Sequence, residues 1–183
     1  MTHTAWHGDL VTLRDVEPGD WEAFYRFAQD SEAARLGWQV HLPRSREAQK
    51  AWAEELAKKK SEDDNHFFAI TDPEGSVVGS ISSHGCDRRQ GTFEYGITIA
   101  REAWGRGYAA DAIRVLCRYF FDELGYHRVS AEVYAFNERS ISLHEKFGMV
   151  LEGRLREAVF TEGKRHDSLI YGMTAPEFRS RYG

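Results

Sequence analysis

Cysteine is scarce in this chain. There are two, Cys86 and Cys117, and they do not form a C-x-x-C pair. That excludes a disulfide framework and a cysteine zinc site, and both are expected to be free thiols in a reducing compartment. No stretch approaches the ~18 consecutive apolar residues of a membrane span, so no membrane partner is expected. The first eight residues carry His3, Trp6 and His7 but no basic segment followed by an apolar run. An ordinary signal peptide is therefore not expected, and the cytoplasm is the default location. Basic residues are outnumbered, 24 Lys and Arg against 29 Asp and Glu, for a formal net charge of −5. A polyanion binder needs a clustered cationic excess, so no nucleic-acid partner is expected. The eight histidines are scattered, with no H-x-x-x-H on a predicted helix, and no catalytic metal is expected.

What is present fits one soluble domain over residues 1–183. Leu10 to Val16 is a short β-prone run. Asp20 is placed to cap a helix carrying Trp21, Phe24, Tyr25, Phe27 and Ala28. A second short helix runs from Ser31 to Leu36 and ends at Gly37. A third spans Arg44 to Lys60, with Ala51, Trp52, Leu56 and Ala57 as its inner side. Phe67–Ile70 and Val77–Ile81 flank the turn signal Asp72-Pro73-Glu74-Gly75. Phe93–Ile99 alternates, putting Glu94, Gly96 and Thr98 on one face, with Gly96 a candidate bulge. Arg106 to Leu124 is the clearest amphipathic helix, stopped by Gly125. His127–Ala135 is a strand. Asn137 caps a helix from Glu138 to Phe147 that stops at Gly148. Two last strands, near Met149–Val159 and Arg165–Met173, turn at Thr161–Lys164. This order describes a mixed α/β (α+β) fold around one mostly antiparallel sheet.

The chemistry starts at Trp104-Gly105-Arg106-Gly107-Tyr108-Ala109, between a strand and the best helix. A helix N-terminus presents unpaired N–H groups and a partial positive charge, and glycines before it let the backbone approach an anion. This is a sound diphosphate cradle, to which Arg101 and Arg106 add charge. The same residues satisfy the dinucleotide pattern G-x-G-x-x-A. That alternative, a nucleotide-dependent oxidoreductase, suits the context poorly: the motif lies mid-chain, and Ala135-Phe136-Asn137 stands where the acidic ribose ligand would be. A P-loop is excluded because no Gly-Lys-Ser/Thr follows.

With these residues in view, the sequence resembles the GNAT acetyltransferases. Their Q/R-x-x-G-x-G/A signature falls on Trp104 to Ala109, with Trp104 in place of the usual Gln or Arg. A second block, Asn137-Glu138-Arg139-Ser140-Ile141-Ser142-Leu143-His144-Glu145-Lys146-Phe147-Gly148-Met149, is similar to the family's N-x-x-S/A-x-x-L-x-E-K-x-G-F/M pattern. Leu151-Glu152-Gly153-Arg154, Asp167 and Tyr171-Gly172-Met173 continue it. The likeness is strongest to the branch of ribosomal-protein N-terminal acetyltransferases, which also holds enzymes acting on small amines.

The resemblance implies direct transfer of an acetyl group from acetyl-CoA, as cosubstrate, to a primary amine such as a protein N-terminus or small molecule. A dimer is common in that family. The strands at Phe93–Ile99 and His127–Ala135 should splay and admit the pantetheine arm. Backbone N–H groups over Ile97, Thr98, Ile99 and on to Ala100 should bind it, joined by Asn137 and Ser140. Residues Trp104, Gly105, Arg106, Gly107, Tyr108 and Ala109 should hold the diphosphate. Glu94 is the candidate general base, and Ser140 or His144 the candidate proton donor to the departing thiolate. The acidic residue common in the ribosomal branch near Val159 is missing. Arg35, Trp38, His41, Phe160 and His166 are the acceptor-site candidates. A non-catalytic acyl-CoA sensor of the same fold is the remaining alternative.

Overall fold

The computed structural model describes residues 4–37, 39–60 and 62–183. In chain order the elements are β1 (Thr12–Asp15), α1 (Trp21–Ala28), α2 (Ser31–Gly37), α3 (Arg46–Lys58), β2 (His66–Thr71), β3 (Val77–Asp87) and β4 (Thr92–Ile99). Then come α4 (Tyr108–Arg118), β5 (Arg128–Tyr134), α5 (Glu138–Phe147), β6 (Val150–Thr161), β7 (Lys164–Thr174) and α6 (Ala175–Tyr182). Among the described residues the strands form one sheet in the order β1-β2-β3-β4-β5-β7-β6. Every neighbouring pair is antiparallel except β4 and β5. Among the described residues no helix is long and apolar enough to cross a membrane.

The β4–β5 junction decides the architecture. These parallel strands pair only at Thr92 with Arg128, Phe93 with Val129 and Glu94 with Ser130. Beyond that β4 follows β3 as far as Ile99, while β5 follows β7. The sheet therefore splits from Tyr95 onward. Gly96 does not act as a bulge: it pairs in register with Ser82, and the β3–β4 irregularity lies between His84 and Asp87.

Apolar side chains cover both faces. On one, Leu13, Ile70, Ile81, Phe93, Val129 and Tyr171 pack with Ile113, Leu116 and Phe120 of the α4 region. On the other, Val16, Phe24, Ala53 and Ala69 form a smaller cluster edged by Trp21, Phe27, Trp52 and Leu56. The chain continues α4 as a π-turn over Tyr119–Glu123, and Gly125 follows with φ of 75°.

Several local expectations need correction. Asp20 does not cap α1 with its side chain. Its carboxylate accepts from the Glu17 backbone N–H (2.8 Å) and from Arg14 (2.7 and 2.9 Å), because an arginine fork binds both oxygens at once. Helix α3 turns Gln49 and Ala53 inward, with Trp52 and Leu56 half-buried, while Ala51 and Ala57 are exposed. Its start is fixed by Ser45, whose hydroxyl accepts from the Ala48 N–H. Helix α6 lies beyond the elements expected from the sequence; Thr174 and Glu177 form its capping box, with Pro176 inside the first turn.

Candidate active site

The split between β4 and β5 opens a cavity of about 280 Å3. Its walls include Gly96, Thr98, Glu132 and Tyr134 from one sheet face and Tyr95, Ile97, Ala131 and Val133 from the other. Side chains alternate across a strand, so lining from both faces means the cavity passes through the sheet. Trp104, Gly105, Gly107 and Ala109 from the start of α4, and Asn137, Arg139, Ser140 and His144 from the α5 region, complete the lining. The sequence-predicted residues Ile97, Thr98, Ile99, Trp104, Gly105, Gly107, Ala109, Asn137, Ser140 and His144 thus converge on one cleft.

Helix α4 begins with the geometry an anion site needs. Gly107 is its N-cap with φ of 84°, Gly105 has φ of 76°, and no side chain caps the helix. The first-turn carboxylate, Asp111, is committed elsewhere. It accepts from the backbone N–H groups of Asp9, Leu10 and Val11 at 2.7–3.2 Å and from Arg114 at 2.6 Å, and these bonds hold it below the ordinary carboxylate range against the opposing effect of burial. Arg106 and Tyr108 do not line the cavity with their neighbours. On the arm side, the Ala100 N–H already donates to the Val78 carbonyl at 2.8 Å, so the stretch of β4 open to a ligand ends before it.

Asn137 does cap α5: its Oδ1 accepts from the Ser140 N–H at 3.1 Å. Its Nδ2 donates to the Leu36 carbonyl at 2.9 Å. The amide therefore ties the end of α2 to the start of α5 beside the cleft.

His144 departs furthest from expectation. It is 2% exposed, and its ring lies near Tyr95 on β4 (5.9 Å) and Tyr171 on β7 (5.6 Å), stacked with each. Its Nδ1 lies 2.6 Å from the Ser140 carbonyl oxygen. A carbonyl can only accept, so Nδ1 carries the proton, and Nε2 is left as a buried atom without a partner among the described residues. Burial lowers the histidine's pKa, opposed by the bond to Ser140. The ring is neutral at neutral pH and packs between Tyr95 of β4 and Tyr171 of β7, which does not suit a proton donor.

A pH effect on stability follows. The unfolded histidine titrates near 6.5 and the folded one lower. The unfolded chain thus binds the extra proton between the two values, and stability present above pH 6.5 is lost as pH falls through the folded pKa. Urea melts at pH 8 and pH 5.5 should show a larger acid loss for the native chain than for His144→Gln. Equal losses would contradict the buried neutral ring.

Glu94 sits at the last paired position before the split. It is exposed, faces His84 across the ladder at 3.7 Å, and does not line the cleft. Glu132, not singled out in the sequence, does line it. Its Oε1 accepts from the fully buried Ser168 hydroxyl at 2.6 Å. Alternation along β5 was the available signal, since it places Ser130, Glu132 and Tyr134 on the face that Glu94 shares.

The acceptor-site candidates scatter. Arg35 reaches Glu162 of the β6–β7 turn at 3.4 Å. His41 lines a neighbouring cavity of about 310 Å3 with Phe24, Phe27 and Trp52, which shares Gly37, Thr98 and Ile99 with the cleft. Phe160 is exposed beneath Arg165, and His166 meets Phe136 edge-on at 4.7 Å; neither lines the cleft. Trp38 lies outside the described residues. Among the described residues no group of three or more His, Cys, Asp or Glu could hold a metal ion.

A helix N-terminus opening on a parted pair of parallel strands defines an acyl-CoA transferase architecture, and the comparisons agree. The family model for the acetyltransferase (GNAT) domain matches residues 11–150. The chain belongs to the GNAT family and is an N-acetyltransferase. It is 38% identical over 183 residues, all of both chains, to the "SPbeta prophage-derived uncharacterized N-acetyltransferase YokL" of Bacillus subtilis. It is 29% identical over 171 residues to that organism's "Putative ribosomal N-acetyltransferase YdaF", covering 92% of this chain and 93% of the relative. The fold matches the crystal structure of spermidine N-acetyltransferase from Vibrio cholerae in complex with CoA and spermine. That match has a TM-score of 0.79 at 22% identity, over 92% of this chain and 98% of the other.

Proposed function

We propose that the chain transfers an acetyl group from acetyl-CoA directly to a primary amine, on a protein N-terminus or a small molecule. The observation that carries this is the passage through the sheet at the β4–β5 split, with Gly105, Gly107 and Glu132 among the residues lining it. The diphosphate of acetyl-CoA lies on the free N–H groups opening α4. The pantetheine arm occupies the split, using strand backbone as an added strand would. An amine entering from the Thr98 and Glu132 face meets the thioester inside the passage.

In the reaction the amine nitrogen forms a bond to the thioester carbon, the carbon–sulfur bond breaks, and the thiolate leaves. A protonated amine must first lose a proton, and Glu132 is the nearer acceptor. Glu94 can serve only at longer range, through water or His84. Ser140 is the remaining candidate proton donor toward sulfur, since it is among the residues lining the cleft and His144 is neutral. The test is release of free CoA from acetyl-CoA with a panel of peptide N-termini, amino acids, aminoglycosides and polyamines. Turnover with at least one amine supports the assignment. Acetyl-CoA binding without turnover on any amine would favour a sensor, and NAD(P) binding in preference to CoA would overturn it.

A further inference from the structure

The family pattern usually places Gln or Arg where this chain has Trp104, and the structure shows what the tryptophan does instead. An indole has a single polar donor, and the Trp104 Nε1 spends it on the Ile99 carbonyl at 2.7 Å. The side chain therefore has nothing left with which to hold a phosphate. Its ring, however, carries two guanidinium groups, from Arg101 at 4.8 Å and Arg139 at 4.6 Å. The two differ in what else they bind. Arg101 is committed to α2, pairing with Asp30 at 2.5 Å and Glu32 at 3.0 Å. Arg139 makes no ion pair or side-chain hydrogen bond among the described residues, is exposed, and lines the cleft with Trp104, Gly105 and Gly107.

An arginine standing on an aromatic face keeps its planar fork oriented with its N–H edge free. Arg139 lines the same cleft as Gly105 and Gly107 at the uncapped start of α4, where positive charge favours an anion. We infer that Arg139, held on the Trp104 ring, is the side-chain clamp for the diphosphate of acetyl-CoA. It replaces the contact that the tryptophan cannot make. The inference rests on the assignment of the cleft to acetyl-CoA.

The test measures Arg139→Gln against three donors: acetyl-CoA, its 3′-dephospho form and S-acetylpantetheine, which carries no phosphate. Calorimetry should show roughly tenfold or greater weakening for both diphosphate-bearing donors, as expected for one lost charged contact. Transfer from S-acetylpantetheine should keep its kcat/KM. Trp104→Ala should reproduce the loss, and adding Arg139→Gln to it should weaken binding little further. Trp104→Phe, which keeps the ring, should retain most of the affinity. Equal weakening toward all three donors would mean that Arg139 is merely structural, and no weakening would also overturn the inference. A loss that vanishes with the 3′-dephospho donor would move the clamp to the 3′-phosphate. If the unaltered protein binds none of the donors, the cleft assignment itself falls, a result distinguishable from all of these.

Discussion

Gly107→Glu should reduce acetyl-CoA affinity at least ~100-fold while the fold survives, equivalent to about 2.7 kcal/mol of binding. Two separable effects act at this position. The backbone is left-handed, with φ of 84°, which costs an L-residue about 1–2 kcal/mol. A Cβ there would also come within 3.0 Å of the Leu10 Cδ1, the mobile end of a flexible side chain. These strains are shared with Gly107→Ala, which should lower the melting temperature and weaken binding less than ~10-fold. Only the glutamate places a negative charge at the positive end of α4, the proposed seat of the diphosphate. Gly125 supplies the control: it is also left-handed at 75°, a Cβ there meets nothing within 4 Å, and it does not line the cleft. Gly125→Ala should therefore cost stability and leave affinity unchanged. Calorimetry with acetyl-CoA and thermal melts on the three variants decide the matter. Native affinity in Gly107→Glu would remove the diphosphate from the start of α4.

The parts of this site that sequence exposes are those encoded by near neighbours. Asn137 and Gly148 bracket α5 at the residues where it begins and ends, because a cap and a left-handed stop act within one turn. The alternation of β4 reports correctly that Phe93 and Tyr95 are buried and Glu94 is not. What stays hidden depends on partners far along the chain. The burial of His144 needs Tyr171, 27 positions later, and Tyr95, 49 positions earlier. From helix periodicity alone it is indistinguishable from a surface histidine. Which carboxylate faces the cleft depends on where β4 and β5 stop pairing, and no local pattern states that register. The inner side of α3 differs from the one its sequence suggests because alanines occur all round that helix and carry little directional weight; the aromatic cluster of Phe24, Trp52 and Phe67 sets its rotation.

The second large effect expected is on the chemical step. Glu132→Gln should lower kcat/KM at neutral pH by ~10²-fold, the lower end of what a positioned general base contributes, with acetyl-CoA affinity intact. The substitution keeps size and can still accept from the Ser168 hydroxyl, which holds Oε1 at 2.6 Å, so the wall should not rearrange. It removes only the ability to take a proton. A protonated amine at neutral pH then meets no carboxylate among the cleft-lining residues to receive its proton, whereas an amine already neutral at high pH needs none. The deficit should therefore shrink as pH rises toward the pKa of the acceptor amine, and it should fall on kcat rather than on KM alone, a split that simple loss of acceptor binding would not produce. Glu94→Gln is the paired comparison. Because Glu94 lies off the cleft and against His84 at 3.7 Å, its loss should cost clearly less and leave the pH profile close to native. Should Glu94→Gln instead show the larger, pH-sensitive deficit, the proton leaves across the β3–β4 ladder, and Glu132 only shapes the passage.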